Sequence, residues 1–291
     1  MPRRAPAIER SIAVLNLLAA RPGERFSLSE IAREAGLNKA TAHATLWALT
    51  DAGYLVRDAD AKTYGLGPAL VALGSAARQS QPAVDAASPE MQALSEDLGL
   101  DCVASAGIGD EIVILARTGA PRPFEIAVIP GQRLPLLPPI GAVFFAWRTN
   151  KEIDAWLRRL GPLGDAAVKR FRQAIEAVRT RGYSVGLEGD AQLLLQALRR
   201  EGRNGPTVEE GIKGLRNDDY ALVEVDPKST YRLSHVGAPV FGGDGVVALG
   251  LFLIGFQGRV QGRQVERFAE RLLTASERVT KAIHGRPPEA V

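Results

Sequence analysis

The stretch LSEIAREAGLNKATAHATLWALTDAGYL, Leu28 to Leu55, decides the reading of the fold. Ile31, Ala32 and Ala35 recur at helical spacing and give a short helix one inner face. Ser27 and Glu30, three residues apart, suit a capping box at its start, with Ser29 as a competing cap. Gly36 permits a turn of positive φ. Asn38 is then placed to cap a second helix. On that helix Ala42, Leu46 and Leu49 point one way, while Lys39, Thr41, His43 and Thr45 stay outside; Gly53 ends it.

Working outward, Ile8 to Ala20 precedes this pair as an amphipathic helix through Ile8, Ile12, Leu15 and Leu18, broken by Pro22 and Gly23. After it come YLVRD and TYGLG around an Asp-rich turn, the pattern of a β-hairpin. Helix, short helix, glycine turn, helix, hairpin is the order of a winged helix-turn-helix. The third helix suits a DNA major groove, with its N-terminal residues at base edges. Lys39 is expected on phosphate or guanine. Asn38, Thr41, His43 and Thr45 are expected on bases or backbone, with Ser27 at the neighbouring helix start a further candidate. Arg57 and Lys62 frame the wing and would meet the DNA backbone. Residues 1–66 hold nine Lys/Arg and seven Asp/Glu, a net of +2 that a dimer doubles. The competing reading is a helical module that packs against a protein.

The rest of the composition narrows the classes. The 291 residues are 46% apolar, enough for an ordinary core. A single cysteine, Cys102, forms neither an internal disulfide nor a cysteine zinc site. His43, His235 and His284 lie in different expected elements, so no metal and no cofactor is expected. MPRRAPAIERSIAVLNLLAA resembles an export signal, but Glu9 and Asn16 interrupt it, and Ile8, Ile12, Leu15 and Leu18 recur at the spacing of a globular helix. Val246 to Phe256 is apolar but shorter than the ~20 residues that span a bilayer. A cytoplasmic, soluble chain without membrane contact is expected.

GPALVALGSAARQSQ continues as a helix from Pro68, with a stripe of Leu70, Leu73, Ala76 and Ala77 suited to packing against its copy. SQP then marks a boundary. PAVDAASPEMQALSEDLGL reads as a helix in which Pro89 is a break or a new start. DCVASAG and EIVILARTG read as a hairpin, and Phe124 to Val128 as a third strand. Helices are expected over Ile140–Trp147, Lys151–Leu160 and Asp165–Arg181, the last with Val168, Phe171, Ile175 and Val178 on one face. Late strands are expected at Ala221–Val225, Tyr231–Val240 and Val246–Phe256, with a turn at Gly242–Gly245 and a final helix Gln264–Ile283. Hairpins flanked by helices point to an α+β, antiparallel sheet.

GYSVG, Gly182 to Gly186, matches the G-x-S-x-G of serine hydrolases. That elbow needs a strand before the serine and a helix after it. Here the helix comes first, Gly182 is its C-cap, and Ser184 falls inside a strand. A hydrolase using Ser184 is therefore the weakest alternative, and no catalytic residue is expected.

ERSIAVLNLLAA, the Leu28–Leu55 stretch and YGLGPALVALG together resemble the IclR family of bacterial transcriptional regulators. The likeness continues in IAVIPGQRLPL, VRTRGYSV and VGAPVFGGDGVVALGLFLIGF. The resemblance implies a homodimer or dimer of dimers: a winged helix-turn-helix (1–67), a linker helix (68–81) and a GAF/PAS-like effector domain (82–291). It implies double-stranded operator DNA and a small-molecule effector as partners. Carried over position by position, it implies an effector pocket lined by Leu137, Ile140, Gly141, Ala142, His235, Phe252 and Ile254.

The chain departs from the family pattern at several places. Ala40 and Ala44 stand where the family usually has Ser and Arg. Pro139 and Val143 stand where polar residues are common. Phe252 and Ile254 replace two serines, His235 replaces a frequent cysteine, and Asp190–Asp218 reads as an insertion. Burying an anion without hydrogen-bond donors is costly, so an apolar or aromatic effector is expected. His235 would supply one polar contact or stand as a core histidine, and Phe252 and Ile254 alternatively fill the pocket. The expected function is a DNA-binding regulator under effector control. A protein-interaction module with a degenerate sensor is the first alternative.

Overall fold

The structure, a computed structural model, describes residues 5–21, 23–79, 81–119, 128–188 and 221–288. The chain divides at Gln81/Pro82 into two compact units.

In the first unit, α1 (Pro6–Ala19) starts with proline at its first turn, where no amide donor is needed. It buries Val14 and Leu18. Ile8 and Ile12, expected on the inner face, are exposed, because the start of the helix runs past the small core. β1 (Phe26–Ser27), unforeseen in the sequence, pairs with β3 (Thr63–Leu66), which pairs with β2 (Leu55–Asp58). Between them lie α2 (Leu28–Glu34) and α3 (Lys39–Asp51). Ser27 settles the capping question: its Oγ accepts from Glu30 N, and the Glu30 carboxylate accepts from Ser27 N. Gly36 takes φ +65 and Leu37 N reaches Ala32 O, a Schellman turn that swings the chain from α2 into α3. Phe26, Ile31, Leu46, Leu55 and Tyr64 join Val14 and Leu18 as the core. α4 (Ala69–Gln79) follows, and Val71, Leu73, Ala76 and Ala77 on it are exposed.

The second unit is a six-stranded antiparallel sheet between two helical layers. Its strands are β4 (Asp101–Ile108), β5 (Glu111–Thr118), β6 (Arg133–Pro135), β7 (Ser184–Leu187), β9 (Leu233–Phe241) and β10 (Val247–Ile254), in the order β6-β5-β4-β10-β9-β7. Alternation fixes its two faces. Cys102, Ala104, Val185, Val236, Ala238, Leu251 and Leu253 point into one core with α5 (Pro82–Leu98) and α9 (Gly262–Ala282). Phe252 and Ile112 lie in the other, beneath α6 (Ala142–Phe145), α7 (Asn150–Leu157) and α8 (Asp165–Arg181). β8 (Thr230–Tyr231) and β11 (Val260–Gln261) form a separate ribbon.

Several expected elements are corrected. Pro89 does not break α5, because its one lost backbone bond is outweighed by a continuous face of Val84, Ala87, Met91 and Leu94. The helix expected from Ile140 shrinks to Ala142–Phe145, because Pro138, Pro139 and a left-handed Gly141 precede it. Ala221–Val225 does not extend a strand; only Ala221 bridges to Gly186. The strand expected at Phe124–Val128 and the insertion at Asp190–Asp218 lie mostly or wholly outside the described residues, and β6 at Arg133–Pro135 pairs with β5 instead.

Candidate nucleic-acid interface and ligand cavity

Of its 13 residues, α3 buries only Ala42 and Leu46. Asn38 caps it, its side-chain oxygen accepting from Thr41 N at 2.8 Å, so that acceptor is committed to the helix. Lys39, Ala40, His43, Ala44, Trp47 and Ala48 are exposed and recur at helical spacing along one flank. Thr41 and Thr45, expected outside, are half-buried at the margin of that flank. Trp47, 65% exposed, was given no role by the sequence reading; its spacing from His43 and Ala44 was the available signal. Ser27 is held in its cap, so its hydroxyl is engaged within the protein.

The wing is a short hairpin closed by Asp58, whose Oδ1 accepts from Asp60 N and Ala61 N, each at 3.0 Å. These bonds hold its carboxyl below the usual carboxylate range. Lys62 closes the turn at φ +53, a conformation that L residues adopt only at a cost. Arg57 is exposed, its guanidinium 5.9 Å from the Tyr64 ring. Arg25 packs against Gly65 of β3 and adds a cation beside the wing.

In the second unit a cavity of about 10 Å³, room for a single water, lies on the α8 side of the sheet. Gly141, Ala142, His235 and Phe252, four of the expected effector residues, line it. Leu137 and Ile140 instead pack into the adjoining core, and Ile254 sits opposite His235 in the β9–β10 register. The sequence reading missed Arg181 and Ser184, which also line the cavity. Ser184 drew notice only as a candidate nucleophile, and Arg181 is the last residue of α8, just before Gly182 closes the helix at φ +86.

Register explains the convergence. Ser184 stands opposite Gly237 and Gly186 opposite His235; Phe252 stands opposite Gly237 on the other side. The polar contacts form one chain. Ser184 Oγ donates to Gly237 O at 3.3 Å and lies 3.4 Å from His235 Nε2. With that hydroxyl donating to the carbonyl, a proton on Nε2 would complete the contact. His235 Nδ1 lies 3.1 Å from Ser234 Oγ. That tautomer would be the reverse of the one a serine nucleophile needs from its base. Burial, and then the positive charge of Arg181, push the His235 pKa down to about 4, so the ring is neutral near pH 7. Arg181 donates to Tyr183 O at 2.7 Å and Val223 O at 3.2 Å and lies over the Tyr183 ring; burial lowers its pKa. Among the described residues no carboxylate pairs with it. The pocket thus holds donors that the missing serines had seemed to remove.

Among the described residues no helix is long and apolar enough to cross a membrane, and no group of His, Cys, Asp and Glu could hold a metal.

Residues 7–59 match the model of the IclR helix-turn-helix domain, and residues 75–194 match that of the bacterial transcriptional regulator IclR C-terminal domain. Over 283 residues the chain is 22% identical to the HTH-type transcriptional regulator KipR of Bacillus subtilis, covering 97% of this chain and 99% of the relative. Its fold is similar to that of an IclR transcriptional regulator from Alicyclobacillus acidocaldarius, with a TM-score of 0.71, 21% identity and coverage of 97% and 100%. It is also similar to an IclR homologue from Microbacterium hydrocarbonoxydans complexed with 4-hydroxybenzoate, with a TM-score of 0.61, 18% identity and coverage of 95% and 98%.

Proposed function

Because the chain belongs to the IclR family of bacterial transcriptional regulators, we propose that it binds an operator as a homodimer in the cytoplasm and that a small aromatic effector in the second unit alters that binding. The observation that carries the DNA reading is α3, which buries two residues and leaves a whole flank exposed directly after its cap. Lys39 and the free amides of the first turn supply positive potential for phosphate. Ala40 and Ala44 let the helix backbone approach the groove floor closely, and His43 reaches a base edge. Lys62, Arg57 and Arg25 meet the backbone beside it. Two copies must match half-sites about 34 Å apart, or a multiple of that, so a ligand that changes their spacing changes affinity.

The effector reading rests on the cavity. Phe252 and His235 give it aromatic walls, and Gly141 and Ala142 bring backbone close. The 4-hydroxybenzoate bound by the Microbacterium homologue supports an aromatic ligand here. Ser184 and His235 act in binding rather than catalysis, because the hydroxyl lies within a strand and donates to the Gly237 carbonyl.

A gel shift with the DNA upstream of the chain's own gene, across a salt series, tests the DNA reading. Four phosphates per protomer give about eight per dimer and a log–log slope near −7. Lys39→Ala with Thr41→Ala is expected to abolish specific binding in a folded protein; unchanged affinity would sink the reading. One observation favours a second reading, a helix that docks on a protein: the indole of Trp47 is exposed among Ala44, Ala48 and Asp51. Trp47→Ala removing a protein partner while leaving the DNA salt slope intact would support it.

A further inference from the structure

Gly186, Gly237 and Gly250 stand on the adjacent strands β7, β9 and β10, on the cavity face of the sheet. A Cβ at Gly186 would lie 2.3 Å from the His235 ring. One at Gly237 would lie 2.5 Å from Cδ1 and Cε1 of Phe252, and one at Gly250 would lie 2.5 Å from Cε2 of the same ring. Opposite edges of Phe252 therefore lie over Gly237 on the neighbouring strand β9 and over Gly250 two residues back on its own strand, so the ring lies against the sheet. Glycine inside a strand marks such a close approach.

Beyond one edge of the ring lie Arg181 and Ser184. Beyond the other lies Ser105, which pairs with Gly250 across β4 and β10. The Ser105 side chain is 1% exposed, and among the described residues its Oγ has no hydrogen-bond partner. Buried hydroxyls without a partner are rare and call for an explanation. Arg181 bonds two carbonyls, which accept its protons but do not balance its charge. From Ser184 on β7 to Ser105 on β4 is three strand intervals across the sheet and two residues along it, about 16 Å between backbones. A benzene ring with polar groups at opposite ends, hydrogen-bonded at each, nearly fills that span.

We propose that Phe252 is a movable plug on a glycine floor, and that its displacement opens a slot for a para-substituted aromatic carboxylate, with the carboxylate on Arg181 and Ser184 and the far polar group on Ser105. This rests on the reading of the second unit as an effector domain and names the ligand class and its anchors. Phe144 and His235 flank the plug, with ring centroids 6.5 and 5.5 Å from that of Phe252, and they become the walls against which the ligand ring packs.

Calorimetry on the full chain tests the slot with 4-hydroxybenzoate, benzoate and the neutral benzyl alcohol. 4-Hydroxybenzoate is expected to bind most tightly and benzyl alcohol at least tenfold more weakly than benzoate. Phe252→Ala, or Phe252→Leu should the first not fold, tightens both acids at least tenfold, because no plug has to move. Arg181→Gln weakens the acids at least tenfold and leaves benzyl alcohol unchanged; an arginine that only pins Tyr183 and Val223 would weaken all three alike. Ser105→Ala removes the advantage of 4-hydroxybenzoate over benzoate. No binding of either acid to wild type or plug variants overturns the proposal, as does acid-over-alcohol preference that survives Arg181→Gln. Operator binding measured on the same proteins without ligand separates the two readings: its retention beside a failed slot refutes only the slot, and its loss refutes the DNA reading while calorimetry still decides the slot.

Discussion

Replacing Gly237 with alanine puts a methyl group where the Phe252 ring rests. The added Cβ would lie 2.5 Å from two ring carbons and 2.7 Å from Ser184 Oγ. The hydroxyl can turn aside, losing its bond to Gly237 O. The ring can move off the floor only by shifting its contact with Phe144, whose ring centroid lies 6.5 Å away, so the methyl displaces it at a cost. Overpacking of this kind costs about 1–3 kcal/mol. Alanine recovers about 0.5–1 kcal/mol by restricting the unfolded chain. The net expectation is a loss of about 1–2 kcal/mol. In a Phe252→Ala background the ring is gone, and the same alanine becomes neutral or slightly stabilising, a coupling of about 2 kcal/mol. Urea unfolding followed by tryptophan fluorescence measures it, since Trp156 is buried in the second unit and Trp147 meets Phe241 edge-on. Equal costs for Gly237→Ala in the two backgrounds would refute the glycine floor.

Other outcomes follow from single groups. Lys62→Gly relieves a left-handed residue at φ +53, so unfolding of the first unit should shift in its favour by up to about 1 kcal/mol. The same change should make the operator salt slope shallower by about 0.9 per protomer; an unchanged slope removes Lys62 from the interface. His235, held near pKa 4 against an ordinary 6.5, disfavours its charged form in the folded protein. Its contribution is whole above pH 6.5 and is lost as pH falls toward 4, by about 3 kcal/mol at most. His235→Gln should flatten that part of the pH–stability curve measured by urea unfolding. Cys102, buried with its pKa pushed up to about 12, should stay unmodified by a thiol reagent at pH 8 until urea unfolds the second unit. Ser184→Ala should leave any hydrolysis of generic esters by the preparation unchanged.

The fold was legible wherever local signals sufficed. The Ser27–Glu30 box, the Gly36 turn, the Asn38 cap and the Gly182 stop depend on residues within a few positions of one another, and each sets an element end. Alternation in β4, β5, β9 and β10 announced an antiparallel sheet. The misreadings occurred where tertiary packing outweighed local preference. Pro89 reads as a break, yet four buried apolar residues on one face keep α5 whole. Ile8 and Ile12 have the spacing of a core face, but the core of the first unit is too small to reach them.

The cavity shows the other limit. Reading position by position, the loss of two serines at Phe252 and Ile254 removed donors and pointed to an apolar ligand. The sheet restores donors from elsewhere. Ser184 and His235 are 51 residues apart, yet β7 and β9 bring them within 3.4 Å, and the C-cap geometry of α8 delivers Arg181 to the same place. None of these partners has a spacing that a sequence reader would link. The one signal available was compositional: Gly186, Gly237 and Gly250 each sit inside a strand, where glycine weakens the sheet unless something must come close. What comes close is the pair of rings at His235 and Phe252. Phenylalanine at position 252, where the family resemblance led to the expectation of serine, is therefore not a simple loss of polarity. On a glycine floor a large ring can lie flat, stay half-buried and remain movable, so the same change that closes the pocket also supplies the part that opens it.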